Sequence, residues 1–437
     1  MSSKPLPLPE PFPGEPACGY EMRTAIDWNK YRAVVFESDD WGACEQVRNK
    51  EDVEILKPVL DRLGAGPSQL DGTLETPNDL EQLYRVLENA RGCDNRPAVF
   101  SAFMPMGNPD FAAIAKSVFQ EYHDIGLNEG LPPGWERGDL IGKWREGVAR
   151  GVFAPEFHAG LHHISPILWL ELLRGEGAES QAARAIFELN GYAQSGHLPE
   201  YHRMNAKAQY AWVSRAIARF ENLFGFSPRA GVTSDALPMT EIIWSVNGLE
   251  IFCLKNCRIN SGGNVAYFTK LWNSQDVNCP MGAYNRRNDL VYLNRNLHLD
   301  GLQLENVDEI KSVIAANWQR NEPTITNNHR INYVNLQPEK AETGRRVLSE
   351  LLSWICAQDG VRFLTTGEVG QLYRDGYSVR QIGAEKLVRQ WSQPEMEVRI
   401  SGPIERVIAL PSGQEQAFSR DGNQIVLQLK EGDYLAR

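Results

Sequence analysis

The stretch RAVVFESDDWG, residues 32–42, decides how the rest of the chain is read. Arg32–Ser38 carries a nearly continuous apolar and β-branched run, the pattern of a strand buried on both faces in a parallel sheet. The run stops on two adjacent carboxylates, Asp39 and Asp40. Charges at the end of a buried strand need a cation or a hydrogen-bond network to neutralise them. The alternative is a turn or a helix N-cap, where Asp is common.

Outward from this stretch, short strand patterns recur at Pro97–Phe103, Val152–His158, Pro228–Thr233, Leu249–Leu254, Leu290–Asn294, Thr324–Asn328 and Val361–Thr366. Pro155 puts the third strand at an edge or makes it irregular, because proline has no N–H for the ladder. Helical patterns fall between them at Val53–Leu63, Asn78–Ala90, Ala206–Leu223, Val307–Trp318 and Lys340–Ala357. Alternation of this kind predicts an α/β fold with parallel strands and right-handed crossovers. Seven or eight such units between residues 23 and 393 predict a TIM-like barrel more than an open sheet.

The flanks differ in character. Residues 1–22 are proline-rich and predict an extended arm. Residues 394–437 predict a small β-rich unit, with strand patterns at Glu397–Ile400, Val407–Leu410, Ala417–Phe418 and Gln424–Leu429. Turn signals stand at Pro411-Ser412-Gly413 and Asp421-Gly422-Asn423. This unit is either a structural cap or a carbohydrate-binding module.

Of 437 residues, 42% are hydrophobic and 23% charged, enough for a sizeable core, and the net charge is -11. That charge argues against nucleic acid or an anionic membrane as partner, since both need basic surface. No apolar run is long enough for a signal peptide or a membrane span. Seven scattered cysteines fit reduced thiols, and a cytoplasmic location is expected. Cys253 and Cys257 are four apart, but no second pair stands at zinc-finger spacing. No phosphate loop, dinucleotide fingerprint or serine elbow is present.

Two further segments carry chemistry. His158-Ala159-Gly160-Leu161-His162-His163 follows the third strand. Two imidazoles four residues apart, with a carboxylate from elsewhere, form a donor set for zinc that leaves a position for water. His163 can replace His162, and either can instead be an ordinary histidine under a loop. Thr326-Asn327-Asn328-His329-Arg330-Ile331-Asn332 ends a late strand, so His329 belongs to the same barrel face as the other two segments.

Together these segments resemble the polysaccharide deacetylases, the NodB-like carbohydrate esterases. SDDWG is similar to their Asp-Asp-Gly motif and HAGLH to their His-x-x-x-His motif. FESDDWG, PEFH and HRINY bring the chain nearer still to the polysaccharide (de)acetylase-like subgroup, over residues 30–375. The resemblance implies a distorted (β/α)7-type barrel and a divalent metal, most simply zinc. It implies Asp39 as general base, Asp40, His158 and His162 as metal ligands, and His329 as the acid that protonates the leaving amine. The family's arginine-proline-tyrosine segment should fall at Ser227–Val232, where Arg229 is available to pair with Asp39. The proline and tyrosine are missing there, which leaves one oxyanion donor unassigned.

Lesser candidates follow from position alone. Trp41 can stack on a sugar or pack over the site. Arg295 and Asn296 end another strand and can touch substrate. Asp235 can support the site from the following loop or close a surface turn. His197 and His202, five apart around Glu200, suit a substrate-covering loop better than a second metal site. The expected activity is metal-dependent removal of an N-acyl group, most simply acetyl, from an amino sugar of a surface-polysaccharide precursor, nucleotide- or lipid-linked. Two alternatives stand beside it. The same metal site can serve a non-sugar amide or amide formation, or the chain can be a non-catalytic carbohydrate-binding protein.

Overall fold

The computed structural model describes residues 21–64, 70–161, 165–192, 200–233, 239–254, 258–259, 265–266, 277–278, 280–300, 306–392 and 394–437. His162, His163, His197, Asp235 and Cys257 lie outside them, so the expectations placed on those residues do too.

All eight strand patterns read between Arg32 and Thr366 form strands, joined by two short ones that the sequence did not signal. In chain order they are β1 (Ala33–Ser38), β2 (Phe100–Met104), β3 (Phe153–Phe157), β4 (Ala230–Val232) and β5 (Ile251–Leu254). Then come β6 (Ala283–Asn285), β7 (Leu290–Asn294), β8 (Leu297–His298), β9 (Thr324–Asn327) and β10 (Arg362–Phe363). They make one sheet in the order β6-β7-β5-β4-β3-β2-β1-β9-β8, with β10 also on β1. Every pairing is parallel except the β6–β7 hairpin.

Strands β1 to β5 each lie beside their neighbour in sequence, β7 adds to β5, and the late strands β9 and β10 return to β1. That is the winding of a barrel. Closure is not present: among the described residues no ladder joins β7 to β8, and the sheet ends on β6 and β8. The structure accordingly bears out the mostly parallel α/β sheet of the expected barrel, without a closing ladder among the described residues.

Pro155 stands in the interior of the sheet, opposite Ala102 of β2, and is not at an outer edge. On its other side β3 meets β4 only at Phe157–Gly231, so the missing N–H of Pro155 breaks no ladder.

Alternation along β1 builds two cores. Val34 and Phe36 join the helix-covered core, while Ala33 and Val35 join the opposite one. On the first face the helix Pro77–Glu88 buries Leu80, Leu83, Tyr84 and Leu87, the one-sided spacing of an amphipathic helix. Its start is fixed by a reciprocal Thr76–Asp79 cap and by Pro77 in the first turn. Burying each leucine contributes about 1.5–3 kcal/mol, more than the cap's ~1 kcal/mol, so packing holds the helix and the cap sets its boundary. On the second face the helix Thr366–Asp375 lays Val369, Leu372 and Tyr373 against β-strand residues such as Ile251 and Val291.

The C-terminal β-structure starts before the expected boundary at 394. Strands β11 (Tyr377–Ile382) and β12 (Glu385–Gln390) pair with each other, and β12 pairs with the last strand, Gly432–Ala436. A separate antiparallel sheet unites Met396–Ser401, Gln424–Leu429 and Ser419–Asp421. Its core, with Val388, Val398, Ile400, Ile425 and Leu427, is its own. Buried Arg389 fastens this unit to the larger sheet through Asp94 (2.7 Å) and Glu368 (3.0 Å), and Trp391 stacks on Tyr31 at 4.3 Å.

Candidate active site

The chemistry-bearing segments meet at the C-terminal ends of the parallel strands, where loops are free to converge. Asp39 follows β1 and is tied by backbone to the segment after β9. Its N–H donates to Asn328 O (3.0 Å), and its carbonyl accepts from Arg330 N–H (3.1 Å). Asp40 then turns into the left-handed region at φ 78, a conformation that costs an L residue about 1–2 kcal/mol. Gly42 follows at φ 83, its N–H held by buried Glu75 at 3.0 Å. Glu75 also accepts from Trp144 Nε1 and from buried Arg330. The turn that aims the two aspartates is thus clamped from beneath.

The partner of Asp39 is Arg295, from the end of β7. Its Nη1 and Nη2 reach the two Asp39 oxygens at 2.6 and 2.7 Å, and its Nε reaches Glu37 at 2.6 Å. Asn327 Oδ1 accepts a further bond from Nη1 at 2.9 Å. Arg229, expected in this role, pairs with Glu250 at 2.9 Å on the far side of β4, because Arg229 precedes that strand and Asp39 follows its own. Arg295, expected to touch substrate, is buried, with its guanidinium engaged by Glu37, Asp39 and Asn327.

Two other substrate candidates are also taken up by the fold. Trp41 is fully buried, its Nε1 donating to Ser38 Oγ and its ring edge-on to Phe153. Asn296 bridges strands, donating to Pro323 O and accepting from Ile325 N–H.

The histidines do converge on the aspartates. His158, following β3, places Nε2 3.7 Å from Asp40 Oδ1 and 4.0 Å from Asp39 Oδ2. His329 Nε2 lies 3.9 Å from the same Asp39 Oδ2. On its other nitrogen, His329 Nδ1 meets Asp300 at 2.7 Å, and Asn332 holds the second Asp300 oxygen at 2.8 Å.

These contacts set the charges. Burial works to raise the Asp39 carboxyl, but Arg295, with His158 and His329, outweighs it and holds the group below its ordinary value. Burial pushes Glu37 up in spite of Arg295. Burial would lower His329, but the Asp300 hydrogen bond and the charges of Asp40 and Asp39 prevail and push it up to about 9. These influences favour a charged His329 beside an ionised Asp39.

The donors fit a divalent ion in part. Two ligands about 2.0–2.2 Å from a tetrahedral zinc are about 3.3–3.6 Å apart, and Asp40 Oδ1 and His158 Nε2, at 3.7 Å, come close to that span. Both Asp39 oxygens are engaged by Arg295. Among the described residues no third His, Cys, Asp or Glu completes a metal cluster, and His162 lies outside them.

Sequence reasoning missed Asp300, Glu37 and Asn327. Asp300 follows a two-residue strand, too short to be seen as a period. Glu37 is two positions before Asp39 in the strand, so it shares a face with it, a signal that was available.

No protein-family model and no curated protein matches this sequence. Solved structures with a similar fold include polysaccharide deacetylases at low sequence identity. A chain described as a polysaccharide deacetylase from Mycobacterium smegmatis is 13% identical, with a TM-score of 0.39 over 81% of this chain and 95% of its own. A second, described as a probable one from Pseudomonas aeruginosa PAO1, is 11% identical with a TM-score of 0.41, over 80% and 95%. A 4-alpha-glucanotransferase from Thermococcus litoralis also scores 0.39, at 8% identity over 78% and 40%. Likeness at this level does not choose a reaction, which has to come from the residues.

Proposed function

We propose that the chain is a metal-dependent hydrolase that removes an N-acyl group, most simply acetyl, from an amino sugar. The reading is carried by one arrangement. Asp39 Oδ2 lies between His158 Nε2 at 4.0 Å and His329 Nε2 at 3.9 Å, with His329 charged through Asp300.

Cleaving an amide needs an activated water, stabilisation of the carbonyl oxygen and a proton for the leaving nitrogen. Asp40 and His158, with His162, would hold a divalent ion of the zinc class, which supplies Lewis acidity to the water and carbonyl. Asp39, kept ionised and oriented by Arg295, accepts the proton from the attacking water. His329, cationic at neutral pH, gives a proton to the nitrogen as the C–N bond breaks. Without that proton the amine would have to leave as an anion.

The amino-sugar substrate rests on the resemblance of SDDWG and HAGLH to the deacetylase motifs. A nucleotide- or lipid-linked precursor in the cytoplasm is the fitting source. Cys44, Cys93, Cys253 and Cys356 are free thiols, which supports a reducing compartment. No helix among the described residues is long and apolar enough to cross a membrane.

The deciding experiment is elemental analysis of the purified wild type and His158→Ala, followed by acetate release from N-acetylated sugars. About one zinc-class ion per wild-type chain, lost in the variant, together with zinc-dependent acetate release, is expected. A wild type that takes up no zinc, cobalt or nickel would remove the reading.

A further inference from the structure

The turn after His158 is held by a residue that the reaction does not use. Ala159 adopts φ 61, in the left-handed region, although it is not glycine. The next two residues turn their N–H groups onto one oxygen: Glu200 Oε1 accepts from Gly160 N and Leu161 N, both at 2.8 Å. Trp212 Nε1, from the helix Ala206–Phe224, donates to the same oxygen at 2.6 Å. Glu200 is 2% exposed, and its other oxygen is buried with no partner among the described residues.

Burying a carboxyl with one oxygen unpartnered is costly, and a surface loop has no need of it. Here the saturated oxygen fixes two successive peptide groups directly after His158, at the point where the backbone leaves ordinary space. Gly160 belongs to the same device. A Cβ there would lie 2.4 Å from Trp212 Nε1, so only glycine lets the indole reach Glu200.

We infer that Glu200 is a positioning residue, which holds the Ala159–Leu161 turn in the one conformation that presents His158 to a divalent cation. This rests on the reading of His158 as a metal ligand. Partners that orient a ligand in this way typically change metal affinity 10–100-fold when removed. Through its bonds to Gly160 and Leu161, its part is to prevent the turn from relaxing.

The test is zinc affinity of the full chain, measured by competition with a chromophoric chelator, with circular dichroism as the check on folding. Glu200→Ala is expected to bind zinc at least tenfold more weakly than wild type. Adding Ala159→Gly, which removes the cost of the left-handed residue, is expected to return part of that loss. A Glu200 that merely supported the fold would not be rescued by a glycine at 159. Should Glu200→Ala fail to fold, Gly160→Ala takes its place, with a loss of at least tenfold expected from the clash with Trp212. Wild-type zinc affinity in the folded variant, or a loss that Ala159→Gly leaves untouched, overturns the inference while the functional reading stands. A wild type that binds no zinc removes both.

Discussion

Arg295 grips both oxygens of Asp39, at 2.6 and 2.7 Å, while its third nitrogen holds Glu37 at 2.6 Å. One cation thus serves two buried carboxylates. Such a cluster is stable only while all members are present, because removing one strands the others as uncompensated charges. The fork also fixes the plane of the Asp39 carboxylate, and a lysine ammonium cannot do that.

Arg295→Lys separates charge from geometry. The ammonium still neutralises, but the bidentate grip is lost and the Asp39 carboxyl rises from its lowered position. A base must be ionised to act, so a higher pKa moves the acid limb of the kcat/KM profile to higher pH. Turnover at the optimum is expected to fall at least tenfold. An unchanged acid limb would show that Asp39 is not the titrating base.

His329 and Asp300 are expected to act as a unit on the leaving group. Asp300 is among the causes that keep His329 up at about 9, so Asp300→Asn lowers it and brings the alkaline limb of kcat to lower pH. His329→Ala should cost roughly 10²–10⁴ in kcat on an N-acetyl sugar. On an acetyl ester of a nitrophenol, whose leaving group needs no proton, the same variant should lose far less. Equal losses on both substrates would refute the acid role.

Much of this site was legible in the chain, for a physical reason. A strand buried on both faces leaves an unbroken apolar run, and its last residues lie on the loop face, so Asp39, His158 and His329 could each be assigned to one end of one sheet. What was not legible depends on pairing across the sheet. Arg229 opens one strand pattern and Arg295 follows another; only the structure tells that Arg229 faces Glu250, whereas Arg295 reaches Asp39. Closure of the barrel is likewise a property of the β7–β8 gap, where a two-residue strand carries no period. Trp41 stayed open between stacking and packing because an aromatic beside a polar motif has the same sequence signature whether its face is buried or open.

Gly42 tests the clamp beneath the aspartate turn. Its φ of 83 lies where an L side chain is strained, and an added Cβ would come within 2.7 Å of Leu127 Cδ1. Gly42→Ala should therefore cost about 1–3 kcal/mol, seen as a lower urea midpoint with an unchanged slope. Turnover should fall more than stability alone explains, since Asp39 and Asp40 sit directly before the disturbed peptide. A variant with wild-type stability and turnover would mean that the turn is not held in this form.

Glu156 gives a stability test that does not involve the reaction. One of its oxygens accepts from Arg229 N and Ala230 N at 2.9 Å, and burial pushes its carboxyl from an ordinary 4.5 up to about 7. The folded chain therefore holds a proton on Glu156 that the unfolded chain has released, throughout the interval between those two values. More protons bound in the native state means that stability falls as pH rises. The favourable contribution is complete below 4.5 and is lost by about 7, a change of about 3 kcal/mol at about 1.4 kcal/mol per pH unit. Glu156→Gln keeps an oxygen for the two N–H groups and cannot ionise. The stability difference between wild type and Glu156→Gln, followed by denaturant titration from pH 4.5 to 7, should move against the wild type as pH rises. Parallel curves across that interval would show that Glu156 ionises in the fold as freely as in water.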